Sequence, residues 1–441
     1  MKALRGVNRS WTSASRAAFF AAIVASMNGC GGARQAASPP ASAAREATAR
    51  EVSAASIQLV ESAPLETTLD RPDVPNAADT WVAMIDGAKR TLDFAEFYAS
   101  EAEGKDLASS RLTAVIDATL RATKRGVKVR FLADASFLSK YPQVLARFER
   151  EGIAVRTIDY GKLAGGILHA KYFVVDGEES FVGSQNFDWR ALTHIQEMGV
   201  RVRSKEIAGA LLDVLDTDWE LAGGSPRETR VRQHALADGV IAEHGERLTL
   251  VASPKGWLPS ETEWDLPKLV ALLDGAKQSI DVQVLTYKAK SRSGEAFTTL
   301  DDALRRAASR GVHVRLLVSE WSIKPGSDGR KALDDLAHVK NVDVRAIVIP
   351  PFSGGEIPFA RVAHAKYMIV DGAHGWVGTS NWEGDYFDRT RNVGIIADGG
   401  ALPTSLERFF EGNWTSGYVS PLKAPDDASA PRPASTDSAR R

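Results

Sequence analysis

The feature that most limits what this chain can become is that it contains nearly the same passage twice. Trp81–Ser100 carries Asp86-Gly87-Ala88-Lys89 and then Leu92-Asp93-Phe94, while Leu269–Ala289 carries Asp274-Gly275-Ala276-Lys277 and then Ile280-Asp281-Val282. Farther on, Arg125-Gly126-Val127-Lys128-Val129-Arg130 is answered by Arg310-Gly311-Val312-His313-Val314-Arg315. Each copy extends over roughly 165 residues, too long for a solenoid repeat and right for a duplicated domain. Within a copy, helical and strand patterns alternate. The first predicts a helix over 77–89, a strand over 91–98, a helix over 107–124, a strand over 127–133, a helix over 141–151 and a strand over 154–158. Strands over 167–175 and 180–183 follow, with Asp176-Gly177 as the tight turn between them, and helices bearing Trp219 and Trp414 close the two copies. The expected fold class is α/β: two tandem domains, 57–225 and 251–420, each with a mixed sheet, joined by a connector at 226–250.

The residues that carry chemistry recur at the same place in both copies. The first reads His169-Ala170-Lys171, then Asp176, then Gly183-Ser184-Gln185-Asn186; the second reads His364-Ala365-Lys366, then Asp371, then Gly378-Thr379-Ser380-Asn381. On a strand, residues i and i+2 share a face, so each His projects with its Lys. Splitting a phosphodiester without metal takes a nucleophile, a proton donor for the leaving oxygen, and positive or hydrogen-bonding groups on the non-bridging oxygens. One His-Lys-Asn set cannot provide both nucleophile and acid; two sets facing each other across a pseudo-two-fold axis can. A lone His-x-Lys is usually structural, and the duplication with identical spacing reverses that expectation. Asp176 and Asp371 sit at hairpin turns and are expected to hold structure rather than touch substrate. His194, His234, His244, His313, His338 and His374 lack the pattern and read as surface or loop residues. No His-Glu-x-x-His or paired-Cys spacing suggests zinc, and no cofactor is expected.

Composition narrows the setting. Hydrophobic residues make up 44% and charged residues 25%, with a net charge of -1, which argues against a surface that grips duplex nucleic acid by counterion release alone. A local basic groove remains open. Lys2, Arg5, Arg9 and Arg16 precede an apolar run from Ala17 to Met27, so residues 1–30 read as an export signal. Met27-Asn28-Gly29-Cys30-Gly31 resembles a bacterial lipoprotein cleavage box, which would leave Cys30 acylated as a membrane tether. The alternative is a periplasmic or secreted protein with a chance cysteine. The Ala-, Ser- and Pro-rich stretch 31–56 reads as a disordered tether, and 421–441 as a tail of the same kind.

H-x-K-x4-D followed by G-x-x-N is the signature of the phospholipase D superfamily, and the resemblance covers nearly all of residues 60–420. Gly166-Ile167-Leu168-His169-Ala170-Lys171, Asn186-Phe187-Asp188-Trp189-Arg190 and Gly378-Thr379-Ser380-Asn381-Trp382-Glu383-Gly384-Asp385-Tyr386-Phe387 are similar to the animal endolysosomal phospholipase D-like enzymes. Those act as 5′ exonucleases on single-stranded nucleic acid, with lipid transphosphatidylation also attributed to them. Many of them have Glu where this chain keeps Asp371, and their cysteines are absent here. The resemblance implies that one histidine attacks phosphorus to give a phosphohistidine, while the other protonates the leaving oxygen and then activates water. Lys171, Lys366, Asn186 and Asn381 would hold the phosphoryl oxygens.

One asymmetry bears on the roles: Glu197 of the first copy aligns with Asn392 of the second. A carboxylate on one ring nitrogen fixes the tautomer and stabilises charge on the imidazole, which favours His169 as nucleophile supported by Glu197, and His364 as acid then base. The plain alternative for Glu197 is a surface strand residue. A phospholipid hydrolase or transferase would use the same residues. A non-catalytic polyanion binder would have no need of both histidines.

Overall fold

The computed structural model describes residues 55–234 and 239–422. The expected signal segment with Cys30, the tether as far as residue 54 and the tail from 423 lie outside the described residues.

The first copy forms a seven-stranded mixed sheet, ordered Ser56–Ser62, Glu197–Arg203, Glu179–Gly183, Tyr172–Val175, Thr91–Glu96, Lys128–Asp134, Ala154–Ile158. The last three run parallel because helices return the chain to the same end between them, and the hairpin-linked strands run antiparallel. The second copy repeats this order inside a nine-stranded sheet, with Val240–Ile241 and Val419–Pro421 added at the two edges. Its strand Arg247–Ser253 pairs in full with Asn392–Asp398, so the second sheet begins within the stretch read as a connector.

Period-2 alternation sends each sheet's residues to two different cores. On Tyr172–Val175, Phe173 and Val175 join the cluster under helices Ala77–Gly87 and Leu112–Lys124, whereas Tyr172 and Val174 face helix Lys205–Ala222. Tyr367–Val370 does the same in the second copy. The inner cluster runs without a break from Leu211 and Leu215 of the first copy to Leu406 and Phe410 of the second, so the copies share one core.

The two turn aspartates lie in left-handed backbone, at φ 55° for Asp176 and 54° for Asp371. Asp176 accepts from the backbone N–H groups of Lys89, Arg90 and Thr91, and Asp371 from those of Lys277, Gln278 and Ser279. Each therefore pins the start of its copy's first parallel strand, Thr91–Glu96 or Ser279–Val284. Burial alone would raise these carboxyls, but the three N–H donors hold both below the usual range.

Candidate active site

The expected strand over 167–175 is shorter in the structure, and begins only at Tyr172. His169 and Lys171 precede it because Ile167–His169 is drawn across to the second copy. Arg391 N–H donates to the Ile167 carbonyl at 2.9 Å, and His169 N–H donates to the Arg391 carbonyl at 2.9 Å. The mirror crossing joins Gln196 N–H to the Val362 carbonyl at 3.0 Å and His364 N–H to the Gln196 carbonyl at 2.8 Å. Gly166 permits the first crossing: a Cβ there would lie 2.2 Å from the Arg389 carbonyl oxygen.

These crossings exchange the histidines' partners, and they correct the expected role of Glu197. Glu197 follows Gln196, whose carbonyl holds His364, so its carboxylate meets the other copy's ring: Oε2 lies 2.8 Å from His364 Nδ1. His169 Nδ1 instead faces Asn392 Oδ1 at 3.1 Å. Asn392 spends its amide nitrogen on the Tyr386 carbonyl at 2.7 Å, which turns Oδ1 toward His169 as an acceptor. His169 must therefore donate from Nδ1, leaving Nε2 with a free lone pair. The hydroxyls behind are symmetric: Ser184 donates to Glu197 Oε2 at 2.5 Å and Thr379 to Asn392 Oδ1 at 2.9 Å. Glu197 is fully buried, not a surface residue.

Charge here is held away from water. Lys171 donates to the His169 carbonyl at 2.6 Å, and Lys366 donates to the His364 carbonyl. Burial pushes Lys366 down to about 7, opposed by Glu197, and burial together with Lys366 takes Lys171 well below its usual range. Burial and then the lysines also depress both histidines. Burial pushes Glu197 up to about 8 against the pull of Lys366. Burial disfavours the charged form of both lysines, and a phosphodiester would bring the anion that restores it. Asn186 Oδ1 and Asn381 Oδ1 are buried and have no hydrogen-bond partner among the described residues.

His169, His364, Asn186 and Asn381 line one cavity of about 250 Å³. The structure thus brings both His-Lys-Asn sets to one place, with each lysine bonded to the carbonyl of its own histidine and the two turn aspartates elsewhere. Residues the motif reading passed over complete the walls. Phe97 packs on His169 at 5.1 Å from one side and Tyr386 at 5.0 Å from another. Tyr98, Tyr141, Arg190, Trp321 and Phe359 are also present. Arg190, four residues past Asn186, and Tyr386, five past Asn381, stood within the two motifs. Phe97, Tyr98 and Tyr141 fell inside the expected strand over 91–98 and helix over 141–151, whereas in the structure they lie just beyond the ends of these elements, at Glu96 and Gln143, in loops that face the site. His194 corrects the reading of the spare histidines: it is buried between Trp189 and Phe352, and burial pushes it down to about 4.

The family described as "Cardiolipin synthase, PLD-like domain" matches residues 81–219 and 269–414. Phospholipase D Z of Dictyostelium discoideum is 31% identical over 391 residues, covering 83% of this chain and 91% of that protein. The 5'-3' exonuclease PLD3 of Bos taurus is 32% identical over 402 residues, covering 84% of this chain and 81% of that protein. Among solved structures, phosphatidylserine synthase of Haemophilus influenzae Rd KW20 superposes with a TM-score of 0.57 at 10% identity, over 79% of this chain and 86% of that one, which speaks to the fold.

Proposed function

Since the chain belongs to the phospholipase D-like family and is a phosphodiesterase of that superfamily, we propose that it hydrolyses single-stranded nucleic acid from the 5′ end through a phosphohistidine. The observation that carries the mechanism is the unequal pairing of the two histidines. The Glu197–His364 pair retains a proton, because burial makes the carboxylate hold one up to about pH 8. His169, facing a neutral amide, carries a bare Nε2. The carboxylate therefore serves the acid rather than the nucleophile.

His169 Nε2 attacks phosphorus, the bond to the leaving oxygen breaks, and that oxygen takes the proton from His364 Nε2. His364 then takes a proton from water, whose oxygen attacks phosphorus and breaks the P–N bond. Both rings return to their starting states. Lys171, Lys366, Asn186 and Asn381 stabilise the phosphoryl oxygens throughout. Supporting the substrate class are the exonuclease relatives and a small, aromatic-walled cavity with nearly covered histidines, which a single strand can enter and a stacked duplex cannot.

The test is an assay containing EDTA, run in parallel on a 5′-hydroxyl single-stranded oligonucleotide and on phosphatidylglycerol. Cleavage of the oligonucleotide is expected, and both His169→Ala and His364→Ala should abolish it. Activity lost on chelation and restored by a divalent ion would overturn the mechanism. Turnover of the lipid alone would transfer the substrate to phospholipid.

A further inference from the structure

The mouth of the pocket carries a feature that the chemistry above does not use. Phe359 is 61% exposed, although an apolar ring gains nothing from water, and its backbone sits at φ 63°. Bulky residues avoid that left-handed region, so the fold presents this ring at a cost in strain. Lys140, reaching over from the first copy, places Nζ 4.8 Å from the Phe359 ring centroid and 5.1 Å from that of Tyr141. One buried cation in the wall of the cavity ties together the two segments that carry these rings. Arg190 donates to the Pro358 carbonyl at 3.3 Å and to the Tyr141 hydroxyl at 3.3 Å, and Asp188 holds its guanidinium at 2.6 Å. Tyr141, Phe359 and Lys140 line the same cavity as the two histidines.

The geometry points to a nucleobase slot. Phe359 offers its exposed π-face to a base of the entering strand, flanked by Tyr141, which is half-buried and stacked on Tyr98 at 5.1 Å, and Lys140 covers this surface until the base arrives. The displaced ammonium, on a long exposed stem, then meets the neighbouring phosphate. This rests on the nuclease reading and deepens it: affinity comes from stacking and charge, so bases of every kind are accepted and flat rings are required. An acyl chain has no π-face to exploit the same rings.

Full-length protein is assayed on a 5′-hydroxyl single-stranded oligodeoxynucleotide and on the same backbone with every base replaced by an abasic tetrahydrofuran. The base-bearing strand should be cleaved with about tenfold higher kcat/KM. Phe359→Ala should remove about that factor on the base-bearing strand and change the abasic strand by less than about twofold, and Tyr141→Ala should do likewise. Retained turnover of the abasic strand shows that each variant is folded. Equal loss on both strands, or loss on neither, overturns the slot and leaves the nuclease reading standing. Wild-type protein that cleaves neither strand yet releases the headgroup of phosphatidylglycerol overturns both.

Discussion

What each histidine can do is decided by the group on its far nitrogen. With His169 donating to an amide and His364 paired with a carboxylate, rapid quenching during turnover and peptide mapping should find phosphate on His169. More should accumulate in His364→Ala when the substrate has a good leaving group; phosphate on His364 would reverse the roles. The pH profile offers an independent check. Below about pH 8 the Glu197–His364 pair holds its proton, whereas burial and the lysines keep His169 neutral far into the acid range. kcat/KM should therefore fall as pH rises from about 7, where Lys366 loses its proton, through about 8, where the Glu197–His364 pair does, and Glu197→Gln should move the upper part of that limb to lower pH, because His364 alone keeps its proton less well. An unmoved limb would detach Glu197 from the acid. The His, Lys and Asn positions were legible because they repeat with fixed spacing. Glu197 was legible as an asymmetry, but its partner was not, since pairing across the two copies leaves no local signal.

The segments that carry these residues are placed by buried polar anchors rather than by strand propensity. Arg391, whose carbonyl holds the His169 backbone, is fully buried and donates to both oxygens of an equally buried Asp218 on helix Lys205–Ala222, at 2.8 and 2.9 Å. It also donates to the Ser253 and Trp257 carbonyls. Asp218→Ala leaves that guanidinium uncompensated and should cost about 3–5 kcal/mol in chemical denaturation, with activity falling as the His169 segment loosens. A loss under about 1 kcal/mol would show that water replaces the carboxylate. Most elements could be read from periodicity, among them Ala154–Ile158, which matches its expected range. The extended run before Tyr172 misled because its hydrogen bonds go to the other copy, and an apolar run cannot announce its partner.

For the molecule as a whole, the continuous inner core means that neither copy is complete alone. A chain cut near Arg227 should yield halves that lack turnover and expose the Leu211 or Leu406 face; a monomeric half that turns over would refute the shared site. Outside the described residues, the export reading predicts fatty-acid labelling that Cys30→Ser removes, and unlabelled wild-type protein in the membrane-free fraction would favour simple secretion. Duplication could be read from sequence because both copies kept their motifs, but the depth of their union could not, because shared burial is a property of faces and not of words. Two identical subunits meeting on a symmetry axis must place the same residue in both seats, and such a site is indifferent to which way round its substrate lies. Linking the copies in one chain lifts that obligation, and Glu197 opposite Asn392 uses the freedom. The site acquires a front and a back. On the proposed nuclease mechanism, a strand threaded the wrong way would present its departing oxygen to the ring with no proton to give, and the direction of travel would follow from one unmatched pair of side chains.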